Sequence, residues 1–216
     1  MYRVHASGQT LLEALDHRGA SAHATAVRAG WVLFLTALTA AAAQISVPLP
    51  FTPVPFTFQP MVVLLAGLAV GPRLAVASQV LYLALGAAGL PVFAASPVLP
   101  PGALRLLGPT GGYLLSYPLA AFVTGYLAQR GFDRRYLTSV LAMAAGLLIV
   151  YAAGATWLAF FARLESVSVA TGFRAAVMTS VVPFVAADVA KLLVAAGVVP
   201  GLWALLGRAH RTDDRR

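Results

Sequence analysis

Cysteine is absent from this 216-residue chain, and histidine is absent from its apolar part. Without cysteine the protein forms no disulfide, no thiolate metal site and no cysteine nucleophile. The histidines lie only in the polar tails, at His5, His17, His23 and His210, which argues against a histidine-dependent metal or hydrolase site in the apolar region. We therefore expect a protein that is not an enzyme and that uses no metal or cofactor.

Lysine is nearly absent as well. The single lysine, Lys191, follows the residues VAADVA, so the chain contains no G-x-x-x-x-G-K-[ST] phosphate loop. Hydrolysis of ATP by that route is excluded, and any ATP-driven step needs a partner protein.

Charge in general is scarce. Charged residues make up 10% of the chain, against about 25% in an ordinary soluble domain, and 60% of its residues are hydrophobic. A soluble core of this length cannot hide so much apolar surface, whereas helices of about 20 apolar residues can cross a bilayer. The net charge of +8 comes from arginines scattered between apolar runs. The composition predicts an all-α integral protein of the plasma membrane, whose partner is the lipid bilayer and not nucleic acid.

The apolar runs predict six transmembrane helices, at 29–47, 56–71, 73–90, 112–129, 137–162 and 176–206. A proline-rich stretch at 48–60 ends the first helix, and Gly71-Pro72-Arg73 separates the second from the third. The second helix is short enough to be re-entrant. The predicted domains are a cytoplasmic segment 1–28, a six-helix membrane domain 29–207 and a cytoplasmic tail 208–216.

The arginines indicate how these helices are oriented. With the N-terminus inside, eleven arginines fall in cytoplasmic segments, and Arg105, Arg163 and Arg174 fall outside. Because positive residues concentrate on the cytoplasmic side, both termini are predicted to be cytoplasmic. The loops at 48–58 and 90–108 then face outward, where they either close over a site as lids or cap helix ends at the membrane surface.

Asp188 and Lys191 are the only charged residues in the stretch 175–207. Their spacing puts them on one face of a helix, and each would cost roughly 3 kcal/mol if left unpaired at the bilayer centre. A carboxylate accepts hydrogen bonds and an ammonium donates them, so the pair suits a small amphiphilic ligand in an apolar pocket. The alternative is a structural pair in which the two charges only neutralise each other.

Three segments carry a family resemblance: PLPFTPVPFTFQPMVVLLAGLAVGPR (48–73), LYLALGAAGLPVFA (81–94) and LLGPTGGYLLSYPLAAFVTGYL (106–127). They resemble the BioY family, the biotin-binding S components of energy-coupling factor (ECF) transporters. The resemblance implies a six-helix protein that captures biotin from outside beneath its outer loops. A transmembrane T component and two ATP-binding subunits would then drive its release inward.

The resemblance also assigns residues. Asp188 and Lys191 match the family's charged pair, which contacts polar groups of the ligand. Gln59 in PFTFQ, and Thr110 and Tyr113 in GPTGGY, are further contacts that it implies. For Gln59, a hydrogen bond that only stabilises the loop is equally expected.

The chain also departs from the family pattern. The family usually carries Pro-Gly before this acid, where this chain has Ala187, so the aim of the carboxylate can differ. An arginine that often follows GGY is replaced by Leu114, and Arg105 is the candidate substitute for that cation.

Ala37 and Ala41 form a small-x-x-x-small pattern in the first helix. By resemblance this face docks the T component, and ordinary packing within the bundle is the alternative. Two other functions also remain open: an ion-coupled carrier with Asp188 as its proton site, and a membrane scaffold in which the charged pair is structural.

Overall fold

A computed structural model describes residues 22–96, 99–163 and 169–213, and this part of the chain is predominantly helical. The helices are α1 (Ala22–Gln44), α2 (Gln59–Ala87), α3 (Leu104–Leu107), α4 (Gly111–Leu127), α5 (Tyr136–Arg163), α6 (Val169–Ser180), α7 (Val182–Ala195) and α8 (Val198–Asp213). A π-helical turn, Ala128–Phe132, follows α4. Two short strands, β1 (Ser46–Val47) and β2 (Phe56–Thr57), pair antiparallel as a small ribbon. Helix satisfies every backbone group internally, which is what a bilayer requires.

The chain reverses direction inside α2. Gly71 has non-helical backbone angles, φ 79° and ψ 176°, and Pro72 follows it. Gln59 Nε2 nevertheless donates a hydrogen bond of 2.6 Å to Tyr82 Oη. Along one straight helix these residues would lie roughly 34 Å apart at 1.5 Å per residue. The segment is therefore a helical hairpin with arms 59–70 and 72–87, and the predicted break at Gly71-Pro72-Arg73 is where it turns.

The core of the bundle lies around α4, which packs against both α2 and α5. Small residues on α4, among them Ala120 and Ala121, are fully buried and allow close approach. Gly125 is required there, because a Cβ atom would lie within 2.7 Å of the backbone of Gly71 and Pro72. Helix α1 packs on α2, where Thr36 Oγ1 donates to the carbonyl oxygen of Ser78 at 2.9 Å.

The last three helices form a nearly continuous rod that runs antiparallel to α5. Tyr151 on α5 contacts Asp188, Tyr136 Oη donates to the carbonyl oxygen of Leu193 at 3.0 Å, and Trp203 contacts Asp133 just before α5. From Tyr151 back to Asp133, the partner residues on the rod advance from Asp188 to Trp203, so the rod and α5 run in opposite directions. The rod is interrupted at Val181, whose backbone angles of φ −121° and ψ −60° depart from helical values, and by the turn at Ala196–Gly197.

Four segments of the described chain are long and apolar enough to cross a membrane: Ala24–Gln44, Gln59–Ala87, Tyr136–Phe161 and Val182–Leu206. Large apolar side chains cover the outside, such as Leu137 at 73% exposure and Val194 at 78%, a surface suited to lipid. These features confirm a helical integral membrane protein.

The six-span count and the cytoplasmic termini remain predictions. The predicted spans 56–71 and 73–90 share the hairpin α2, and the predicted span 112–129 corresponds to α4, which has only 17 residues. Helix α1 already begins at Ala22, inside the predicted segment 1–28. Most of that segment and the end of the predicted tail 208–216 lie outside the described residues.

Candidate ligand-binding site

A cavity of about 420 Å³ lies between α4, α5, α6, α7 and two loops. The first loop, residues 45–58, contains the β1–β2 ribbon, and the second loop, residues 88–110, contains α3. Pro48, Val54 and Pro55 of the first loop line the cavity, as do Phe93 and Leu99 of the second. This volume and the mostly apolar wall are typical of a site for one small molecule.

Asp188 supplies the carboxylate of the cavity wall. Its side chain projects from α7 and is nearly buried, and each of its oxygens has a protein partner. Lys191 Nζ lies 2.5 Å from Oδ1, and Tyr151 Oη donates to Oδ2 at 2.6 Å. Each carboxylate oxygen can accept two hydrogen bonds, so Asp188 is held in place and can still accept an N–H group from a ligand.

Lys191 lies behind Asp188 and is not among the residues that line the cavity. Besides Asp188, its ammonium donates to the carbonyl oxygen of Thr57 at 2.7 Å and lies 3.9 Å from the centre of the Phe56 ring. The ligand contact expected of Lys191 from the sequence stays a prediction. In this structure the described partners of Lys191 are the Asp188 carboxylate and two residues where the first loop ends, Phe56 and Thr57.

Arg105 brings a cation to the cavity wall, from the short helix α3. Its Nη1 donates to the carbonyl oxygen of Ala94 at 2.8 Å, and its Nε donates to that of Pro100 at 3.2 Å. Burial lowers the pKa of the Arg105 guanidinium, although arginine stays protonated in proteins. Arg105 thus holds the second loop together and places a positive charge in the cavity wall.

The other predicted residues, Gln59, Thr110 and Tyr113, also line the cavity. Gln59 donates to Tyr82 Oη, which in turn donates to the carbonyl oxygen of Val92 at 3.3 Å. Both expectations for Gln59 are therefore compatible with its position, since it lies in the wall and also braces the second loop. Tyr113 Oη donates to Ser180 Oγ at 2.6 Å, which ties α4 to α6.

Sequence reasoning missed Tyr151, Tyr117 and Ser180, all of which line the cavity. Tyr151 has the most direct role, because it orients Asp188. The only signal in the sequence was a hydroxyl-bearing side chain within the apolar run that forms α5. A tyrosine is common in membrane helices, so nothing separated it from an interfacial residue before the fold was known.

Ala37 and Ala41 are not among the residues that line the cavity and lie on the exposed face of α1. The same helix buries Leu35, Thr39 and Ala43 against the bundle. Within the described part of the chain the two alanines are not covered, and the face that they share is open to a neighbouring helix or to lipid.

The fold and the cavity together define a helical membrane protein with a mostly enclosed site for a small amphiphilic molecule. Residues 17–208 match the model of the BioY family, and the chain belongs to this family.

Named relatives and a solved structure agree with the family. The chain is 42% identical over 160 residues to the "Probable biotin transporter BioY" of Pyrococcus horikoshii, covering 74% of this chain and 86% of the relative. It is 40% identical over 161 residues to the "Biotin transporter BioY" of Thermotoga maritima, with the same two coverages. The fold resembles that of the S-component for biotin from an ECF-type ABC transporter, with a TM-score of 0.72, 24% identity, and 86% and 95% of the two chains covered.

Proposed function

We propose that this protein binds biotin in the membrane and serves as the S component of an ECF-type transporter. The observation that carries the proposal is a cavity of about 420 Å³ whose wall holds Asp188 and Arg105, in a chain of the BioY family. Relatives at about 40% identity are named biotin transporters, which supports the same ligand. The role is transport and not catalysis.

Biotin matches the cavity group by group. It carries a ureido ring with two N–H donors and a carbonyl, an apolar thiophane ring and chain, and a carboxylate. The apolar parts suit the wall formed by Val54, Phe93 and Val150. The two polar ends, the neutral ureido group and the carboxylate, suit the two charged side chains, one acidic and one basic.

Charge sets the orientation that we propose. The ligand carboxylate would be repelled by Asp188 and attracted by Arg105, where charge-assisted hydrogen bonds form. The ureido N–H groups then donate to Asp188, which Tyr151 and Lys191 already hold in place. Gln59, Thr110 and Tyr113 contribute polar atoms to the wall between these ends.

The membrane arrangement belongs to the same proposal. We place α1, the two arms of α2, α4, α5 and the rod α6–α8 as six crossings with both termini in the cytoplasm, as the arginine distribution predicts. The exposed Ala37 and Ala41 face is the proposed contact for the T component. ATP-binding subunits supply the energy, since this chain has no phosphate loop.

Calorimetric titration of the purified, ligand-free protein tests the ligand and its orientation together. Biotin and biotin methyl ester are each titrated into the unmutated protein, Asp188→Asn and Arg105→Gln. Asp188→Asn should weaken both ligands by about tenfold to a hundredfold, because one charge-assisted hydrogen bond is lost. Arg105→Gln should weaken biotin by a similar factor and weaken the uncharged ester less, because only biotin loses an ionic partner while any loosening of the second loop affects both ligands alike.

Two results would count against the proposal. Millimolar or absent binding of biotin to the unmutated protein would overturn the ligand. An ester that loses as much affinity as biotin in Arg105→Gln would overturn the orientation alone.

A further inference from the structure

The first loop has few means of holding itself closed over the cavity. Pro48, Pro50, Pro53 and Pro55 have no backbone N–H to donate. The hydrogen bonds that the loop makes between its own described residues are short-range, such as Val54 N to Thr52 Oγ1 at 3.2 Å, apart from the β1–β2 pairing at its base. Beyond apolar packing such as that of Val54 on the core, polar contacts that fix the position of this loop come from elsewhere in the fold.

Lys191 supplies such a polar contact from 134 residues away in the chain. Its ammonium donates to the carbonyl oxygen of Thr57, in the strand that pairs with Ser46 at the base of the loop. The Phe56 ring lies against the same ammonium and stacks on Phe184 of α7, with ring centres 6.3 Å apart. The base of the first loop is thus bound to α7 at adjacent residues, 56 and 57.

The same ammonium also holds the carboxylate of the cavity wall, since Lys191 Nζ lies 2.5 Å from Asp188 Oδ1. The side chain of Lys191 is 11% exposed, so these contacts are largely shielded from water. A charged donor in such surroundings forms stronger hydrogen bonds than it would at an open surface.

We propose that Lys191 is a positioning residue that latches the first loop over the cavity, joining loop closure to the carboxylate that faces the ligand. This deepens the proposed function and rests on the same cavity. In this role Lys191 acts in the empty protein, before any ligand binds. A lysine that served only as a ligand contact, or only to neutralise Asp188, would leave the loop of the empty protein unchanged.

The absence of cysteine makes a direct test possible. A single cysteine replaces Val150, which lines the cavity and is 1% exposed, and its reaction with a water-soluble maleimide is followed in ligand-free protein in detergent. A second reporter replaces Phe51, which is 56% exposed in the first loop, and controls for general reactivity. Each reporter is combined with Asp188→Asn, Lys191→Met and the double variant Asp188→Asn/Lys191→Met.

The latch predicts a specific order of labelling rates. At position 150, Lys191→Met and the double variant should react about tenfold faster or more, the factor expected from losing one charge-assisted hydrogen bond. Asp188→Asn keeps the lysine and its bond to Thr57, so it should react at nearly the unmutated rate. The reporter at position 51 should react alike in every background.

The double variant keeps the test decisive if Lys191→Met alone folds poorly, because it leaves no unpaired charge in the membrane. Equal rates at position 150 in the double variant and the unmutated protein would overturn the latch. Acceleration in Asp188→Asn as large as in the double variant would also overturn it, since the ion pair would then matter and not the bond to Thr57. No biotin is present, so the outcome is independent of whether the protein binds biotin.

Discussion

Two clusters in this protein are built from the same chemistry. The cavity cluster joins Asp188 to Lys191 and Tyr151, and the turn cluster joins Asp133 to Arg134 and Trp203. In both, an aromatic side chain donates to the acid, Tyr151 Oη at 2.6 Å and Trp203 Nε1 at 2.7 Å. In both, the cation lies over an aromatic ring, Lys191 at 3.9 Å from the centre of Phe56 and Arg134 at 3.7 Å from that of Trp203.

The difference lies in what surrounds the acid. Asp133 is completely buried beneath α8, where it binds the turn before α5 to the last helix. Asp188 has a cavity in front of it, and its cation reaches a loop that covers that cavity. An acid, a cation and an aromatic donor therefore do not define a ligand site by themselves. Of the two clusters as the structure describes them, the cavity cluster alone also has space for a ligand beside its acid and a loop that covers that space.

Removing the cation should separate the two clusters most strongly. Lys191→Met leaves Asp188 without its counter-ion among largely buried groups and should lower the free energy of unfolding by about 3–5 kcal/mol. Arg134→Met should cost less, about 1–2 kcal/mol, because the buried Asp133 keeps its hydrogen bond from Trp203 and its raised pKa lets a proton neutralise the carboxyl. Denaturant titration in detergent micelles measures both. Equal losses would remove the energetic distinction between the clusters.

Removing the aromatic donor should lower biotin affinity only in the cavity cluster. Tyr151→Phe frees one oxygen of Asp188 from its orienting partner and should weaken biotin binding by about tenfold, the value of one hydrogen bond to a charged group. Trp203→Phe deletes the matching donor of the turn cluster and should leave biotin affinity unchanged within about twofold, since that cluster does not line the cavity. Calorimetric titration of biotin into the two variants measures both affinities. A loss of affinity in Trp203→Phe as large as in Tyr151→Phe would contradict a purely structural turn cluster.

The smallest effect concerns pH. Burial raises the pKa of the Asp133 carboxyl above its ordinary value of 3.8, although Trp203 and Arg134 partly oppose the shift. A raised pKa stabilises the fold below the ordinary pKa of the group, and that stabilisation is lost as pH rises through the folded pKa. The stability of the unmutated protein relative to Asp133→Asn should therefore decline as pH rises from about 4 toward neutrality. Thermal unfolding of both proteins across this range tests the sign, and a relative gain with rising pH would refute it.

Much of the fold was predictable because lipid imposes strict rules on sequence. Apolar runs bounded by charge marked the helices, and Gly71-Pro72 marked the turn of the hairpin α2. The helix ends were harder to place: the described helix α1 covers Ala22–Gln44, whereas the predicted membrane span was 29–47. Alanine-rich flanks continue a helix as readily as they precede one, so composition places its ends poorly.

The candidate site was predictable where a residue conflicted with its surroundings. Asp188 and Lys191 stood out because a charge inside an apolar helix is costly. Tyr151 raised no such conflict, and Asp133 and Arg134 lay in a polar segment where charges are ordinary. Tyr151 lies 37 residues from its partner Asp188, and Asp133 lies 70 residues from its partner Trp203. No local sequence pattern indicates contacts over such separations.

By itself the sequence determined that this chain is a membrane protein with an acid and a lysine on one face of a helix, because hydrophobicity and helical period act locally. Only the tertiary structure decided which way each of them faces. It put Asp188 in the wall of a cavity and turned Lys191 toward the carbonyl oxygen of Thr57. The physical reason is that a cavity and its cover are made by segments distant in sequence, and packing alone determines which of them meet.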